Sequence, residues 1–269
     1  MPRIDIHHHL LEETDYVDRL LRGMDANAVE RCALIGLGPL FHRLFVTVAE
    51  PVPTPDNDAV AAAVNAHPDR FFGLGFIRLG VDRAERVDEL KARGFRGLKF
   101  HIPAKPYDAT EFFDVYEHAA AAELPCLFHT GIVRLPVPRP GAGVRSRYMD
   151  IMRLEGIAQE FPQLTIIAAH LGVQDYRTAL TLIRIFPNIF ADLSGSLPGW
   201  RAAITREEWN RILWFDNAAD KILFGSDVHC SELEDSIAVY DDIMEGAGWT
   251  PEQRNKVCHG NAKRLFQLD

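Results

Sequence analysis

The sequence predicts an α/β protein that closes as a single (β/α)8 TIM barrel over residues 1–269. Three observations lead there. Eight short apolar runs alternate with amphipathic segments of helical spacing, the pattern of a parallel sheet covered by helices. The 269 residues match the roughly 250 that such a barrel needs as one domain. No G-x-G-x-x-G turn follows the first run, which counts against an open, doubly wound dinucleotide fold.

Residues 4–9 (IDIHHH) read as the first strand, ending in polar side chains. Strict alternation puts Asp5, His7 and His9 on one face and Ile4, Ile6 and His8 on the other. Residues 15–24 have helical spacing, with Tyr16, Leu20, Leu21 and Met24 on one face. The apolar run 31–37 is the second strand, and a long irregular loop with Pro39, Pro51, Pro53 and Pro55 follows it. An alanine-rich helix over 57–66 leads to the third strand, 71–79. The charged helix 82–93 stops at Gly94, and the fourth strand, 95–102, is closed by Pro103. Thr110 is the expected cap of a helix reaching about residue 122. The fifth strand is 125–130, followed by a basic loop and a helix over 148–161. The sixth and seventh strands are 164–170 and 188–193, with a helix over 176–186 between them. An aromatic-rich helix, 206–215, precedes the eighth strand, 221–227, and helices over 233–244 and 251–266 close the chain.

Composition narrows the function. A formal net charge of -9 and a pI near 5.7 offer no nucleic-acid face. No apolar run is long enough to span a membrane, and a first strand beginning almost at Met1 leaves no room for a signal peptide. Cys32, Cys126, Cys230 and Cys258 are scattered without C-x-x-C spacing, as in a reduced, cytoplasmic protein. The expected partner is a small-molecule substrate. The aromatic helix with Trp209 and Trp214 is either core or the interface of a homo-oligomer.

Polar residues wait where the apolar runs end, and a barrel of this kind works at the C-terminal ends of its strands. The first strand offers His7 and His9, the fourth Lys99 and His101, the fifth His129, the sixth His170 and the eighth Asp227. An unpaired buried imidazole or charge costs several kcal/mol, and convergence on a metal explains why so many would gather. Neutral imidazole suits zinc and its first-row neighbours. His8, on the other face, reads as a hydrogen-bonded core residue.

The stretches IDIHHH, HPDRFFGLGFIRL, GFRGLKFH, ELPCLFHTG, FPQLTIIAAHLG, FPNIFADLSG, KILFGSD and GNAKRLF span residues 4 to 266. In that order they resemble the metal-dependent amidohydrolase superfamily, in its amidohydrolase-related branch of small barrel hydrolases and decarboxylases. That branch includes aminocarboxymuconate semialdehyde decarboxylase. The resemblance implies that His7, His9 and Asp227 bind a metal, that His129 completes a one-metal site, and that His170 orients the water or the substrate. In two-metal members a carboxylated lysine bridges the ions. Lys99 stands in its place, and His129 and His170 would then hold the second ion. One zinc ion is the first expectation and two the alternative; manganese, iron and cobalt suit the same donors. Lys99 has a plainer reading as the partner of Asp192 or of a substrate carboxylate.

The expected reaction is hydrolysis of an amide, lactone or ester bond of a small anionic substrate by a metal-activated water. Asp227 would be the base and His170 would stabilise the oxyanion. A non-oxidative decarboxylase, a lyase of the same family, is the alternative. A barrel that only binds a ligand fits less well with so complete a ligand set. His101, Arg78 and His229 are candidates to line the pocket. Arg134, Arg139, Arg145 and Arg147, on the loop after the fifth strand, are candidates to clamp a carboxylate or phosphate of the substrate.

Overall fold

The computed structural model describes residues 1–38, 55–133, 145–197 and 199–269. Eight parallel strands follow one another around the sheet in sequence order: β1 (Arg3–His9), β2 (Val29–Ile35), β3 (Phe71–Ile77), β4 (Gly97–Phe100), β5 (Cys126–Phe128), β6 (Ile166–Ala168), β7 (Ile189–Asp192) and β8 (Ile222–Leu223). The seam between β8 and β1 is drawn together by Ile6 N–H donating to Phe224 O (3.1 Å) and Asp227 N–H donating to His7 O (2.7 Å). The result is the (β/α)8 barrel that the alternating runs predict.

Two apolar layers build it. Ile6, Ile35, Leu74, Leu127, Ile167 and Leu223 fill the inside of the barrel as one cluster. Leu34, Ile77, Leu98, Phe128, Ile166 and Ile189 face outward into the layer shared with the helices. Each such side chain contributes about 1.5–3 kcal/mol when removed from water. Phe266 packs on Phe72 with ring centroids 5.3 Å apart, so the last helix closes the N-terminal end of the barrel.

Three expectations change. First, β1 does not alternate strictly. Asp5 pairs with Cys32 and His8 with Leu34, so three steps along β1 match two along β2. That extra residue is a bulge. Ile4 and Ile6 point into the barrel, and the phase then flips. Asp5 therefore lies with His8 and Cys32, not with His7 and His9. Second, Thr110 does not cap its helix. It begins a 3₁₀ turn, Thr110–Phe112, whose cap position is Ala109, and the helix Phe113–Ala121 follows. Third, only Ile222 and Leu223 of the eighth run pair as strand, because Gly225 to Asp227 leave the ladder to enter the site.

The aromatic helix spans Arg206–Ile212; Trp209 on it is buried, and Trp214, 68% exposed, lies just past its end. The four cysteines are all buried and free. Among the described residues no helix is long and apolar enough to cross a membrane. Most of the expected proline-rich loop, residues 39–54, lies outside the described residues.

Candidate active site

The inner-face residues at the C-terminal ends of the strands converge. The bulge turns His7 and His9 inward together, and Asp227 reaches them across the seam. Its Oδ1 is 3.3 Å from His9 Nε2 and 3.6 Å from His7 Nε2, and its Oδ2 is 3.7 Å from His170 Nε2. Ligand atoms of His7, His9 and Asp227 all lie within 4.8 Å of one another. Asp227 has a left-handed backbone (φ 48°), as does His170 (φ 61°). Such residues cost on the order of 1–3 kcal/mol and persist where the surroundings fix them. Here His7 O accepts from Asp227 N–H, and Asp192 Oδ1 accepts from His170 N–H at 2.7 Å.

β7 supplies the support. Asp192 Oδ2 takes the Nδ1–H of His7 at 2.9 Å. The Ser194 hydroxyl donates to Asp192 Oδ1 (2.5 Å), and its oxygen stands 3.1 Å from His7 Nδ1 and 2.9 Å from His170 Nδ1. With the hydroxyl proton given to Asp192, His170 Nδ1 is a donor and its Nε2 an acceptor, facing His129 Nδ1 at 3.1 Å. In this state His170 takes a hydrogen bond and gives none at Nε2. It can serve an oxyanion only after gaining a proton there.

The charges follow from burial and neighbours. Burial lowers His7 to about 4, assisted by the Lys99 charge, and pushes His129 well below the usual histidine range. Burial would raise Asp192, but the His7 ring and its hydrogen bond, with His170 and Ser194, outweigh it and hold the acid at about 2. Burial likewise works against ionised Asp227, and His7, His9 and His170 reverse it, holding Asp227 well below the usual carboxylate range. The centre thus pairs the neutral rings of His7 and His129 with ionised carboxylates.

These residues fit a divalent cation. His129 Nε2 is buried and has no hydrogen-bond partner among the described residues, so its lone pair is free for an ion. His7, His9, His129 and Asp227 are a nitrogen and oxygen donor set suited to zinc or its first-row neighbours. Asp192 supplies the outer support that a ligating imidazole normally has.

Other expected residues fall as follows. Lys99 is fully buried, with Nζ 2.8 Å from His7 Nε2 and no ion pair with Asp192, and burial lowers it to about 8. His101 lies edge-on to His129, ring centroids 4.0 Å apart. A cavity of about 290 Å³ beside Asp227 is lined by His9, Ser196, Leu197, Val228 and His229, among others. His229 is tied there to Glu13 at 3.1 Å. Arg145 and Arg147 are exposed and line no part of that cavity; Arg147 stacks over Tyr148. Arg134 and Arg139 lie outside the described residues. His8 is buried between Ser226 Oγ (3.1 Å) and Tyr16 OH (2.9 Å), away from the mouth.

Sequence reasoning missed Ser194 and Arg201. Period-two spacing from Asp192 was the available signal for Ser194. Arg201 is buried and donates to Leu193 O (3.0 Å) and Gly195 O (2.7 Å), which holds the Ser194 loop in place. Nothing short of the tertiary fold marks that role.

Comparison with known proteins agrees with this geometry. The family model described as Amidohydrolase matches residues 4–268. No curated protein matches the chain. Among solved structures the chain is similar to an uncharacterized TIM-barrel protein from Bordetella bronchiseptica, with 18% identity, a TM-score of 0.73, and coverage of 100% of this chain and 99% of that one. It is similar also to 2,6-dihydroxybenzoate decarboxylase from Rhizobium (19% identity, TM-score 0.67, covering 100% and 99%). A third is 5-carboxyvanillate decarboxylase from Novosphingobium aromaticivorans complexed with manganese (16% identity, TM-score 0.63, covering 99% and 96%). At these identities the structural likeness is one of fold. The family match runs almost from end to end over a barrel whose strand ends gather imidazoles and a carboxylate, and the chain belongs to the amidohydrolase family of metal-dependent enzymes.

Proposed function

We propose that the protein is a metal-dependent hydrolase that opens an amide, lactone or ester bond of a small substrate. The observation that carries this reading is Asp227. It is an ionised carboxylate among His7, His9 and His170, and it borders the cavity. His7, His9, His129 and Asp227 would hold the ion, zinc first among several candidates. A cation there would polarise the substrate carbonyl and ease removal of a proton from water.

Asp227 takes that proton as the general base, a role open to an ionised carboxylate that borders the cavity. His170 Nε2, 3.7 Å from Asp227 Oδ2, is the next acceptor once it gives up the hydrogen bond from His129 Nδ1. Once protonated it has a donor for the oxyanion and then for the leaving atom. Ser194 and Asp192 hold the His170 ring and backbone through that exchange.

Non-oxidative decarboxylation is the second reading, favoured by two fold relatives named as decarboxylases, of 2,6-dihydroxybenzoate and of 5-carboxyvanillate. There an acid would protonate carbon as carbon dioxide leaves. The test is product analysis on lactones, amides, esters and hydroxybenzoates in ¹⁸O-water, run beside Asp227→Asn. Hydrolysis places one solvent oxygen in the product, and Asp227→Asn should keep its metal while kcat falls by about 10²–10⁴. Carbon dioxide release without solvent oxygen, or a fully active Asp227→Asn, refutes the proposal.

A further inference from the structure

Across the barrel from the carboxylates stands a cation with no ion-pair partner among the described residues. In β3, Phe72 and Leu74 belong to the inner cluster and Phe76 packs against it, whereas Phe71, Ile77 and Leu79 belong to the outer layer. The same alternation puts Arg78 on the inner face, one step beyond Phe76 at the C-terminal rim. Asn57 fixes that step, because its side chain accepts from Phe76 N–H (2.8 Å) and donates to Phe76 O (3.0 Å).

Arg78 is half-buried. Its Nε is shut off from solvent and has no hydrogen-bond partner among the described residues, and its guanidinium makes no ion pair among them. The nearby acid, Asp82, spends Oδ2 on the backbone N–H of Arg78 at 2.7 Å. The inner-face neighbours on β4 are Lys99 and His101, neither of them an acid. Asp192 and Asp227 lie on the β7–β8 side of the mouth. Keeping a guanidinium part-buried without a counter-charge is costly, and a bound anion removes the cost. Guanidinium meets a carboxylate with two parallel hydrogen bonds.

We infer that Arg78 anchors a carboxylate of the substrate. The molecule would lie across the mouth, its anionic end toward β3 and its reacting bond toward Asp227. This rests on the proposed active site but not on which bond is broken there, so it is read by binding.

The experiment titrates benzoate, its neutral isostere benzamide and inorganic phosphate into the wild type and Arg78→Gln, each metal-loaded and chelator-stripped, by ligand-observed NMR. Benzoate should bind the wild type in both metal states and benzamide should not. Arg78→Gln should weaken benzoate at least about tenfold, with Arg78→Lys intermediate, the scale of a hydrogen bond to a charged group. Undiminished benzoate binding by Arg78→Gln overturns the inference, as does absent benzoate binding in the stripped wild type. Tighter binding of phosphate than of benzoate overturns the carboxylate class. Product analysis decides the hydrolase reading separately, so the two can fail independently.

Discussion

Asp5 lies outside the barrel wall and is 1% exposed. Its Oδ1 accepts from His7 N–H (3.0 Å) and Ser226 N–H (2.9 Å), while Oδ2 has no hydrogen bond among the described residues. Burial raises its pKa from 3.8 to about 7, against the pull of Ser226 and the His7 backbone. Between about pH 4 and 7 the folded protein therefore holds a proton that the unfolded chain has lost. The contribution of Asp5 to stability therefore falls as pH rises through that window and levels off above it, while the buried histidines act in the opposite sense in wild type and variant alike. At 1.36 kcal/mol per unit, the upper bound is on the order of 4 kcal/mol. Asp5→Asn keeps the accepting oxygen and has no proton to lose. In chelator-treated protein its unfolding free energy, measured with denaturant, should gain on that of the wild type from about pH 4 to 7 and keep that lead at pH 8. Parallel curves for the two proteins would mean that Asp5 is ionised throughout.

At the scale of elements, β8 works by what it leaves out. Gly225 is on the inner face between Leu223 and Asp227, and a Cβ there would lie 2.9 Å from His7 Cβ and 3.2 Å from Asp192 Oδ2. Gly225→Ala should drive His7 away from the carboxylate that orients it. We expect the circular dichroism of the barrel to be kept and metal affinity to fall roughly 10–100-fold, the usual effect of losing such support, in competition against a chelating dye. Unchanged affinity would show that the pair yields without harm. The strands themselves were legible, because buried parallel strands read as apolar runs and every one of the eight was found. Their ends were less so, since residues that turn into the site look like strand until their partners are known. His7, His9 and Asp227 could be picked out because each ends an apolar run. Asp5 was misplaced because periodicity assumes unbroken alternation, and a bulge leaves no mark in a single sequence. Ser194 and Arg201 escaped notice because their roles depend on which loops meet in three dimensions.

For the whole molecule, a bound ion should be visible in stability. A ligand at a hundredfold excess over its Kd adds about 2.7 kcal/mol, and for a chain of this size each kcal/mol is roughly 2–4 °C in Tm. Zinc or manganese added to chelator-stripped protein should therefore raise Tm by roughly 5–10 °C. His7→Ala and His9→Ala should melt at one temperature with or without metal in scanning calorimetry. An equal rise in those variants would place the ion elsewhere. The seam gives that coupling a kinetic side. Of the bonds that join β1 to the chain just past β8, Ile6 to Phe224 and Asp227 to His7, the second is made by two of the residues that would grip the ion. The Asp227 backbone cannot move away from His7 without breaking a bond that shuts the barrel. The ion would act as a clasp across the join, and any opening of the cylinder that parts the seam would be slowed while it is held.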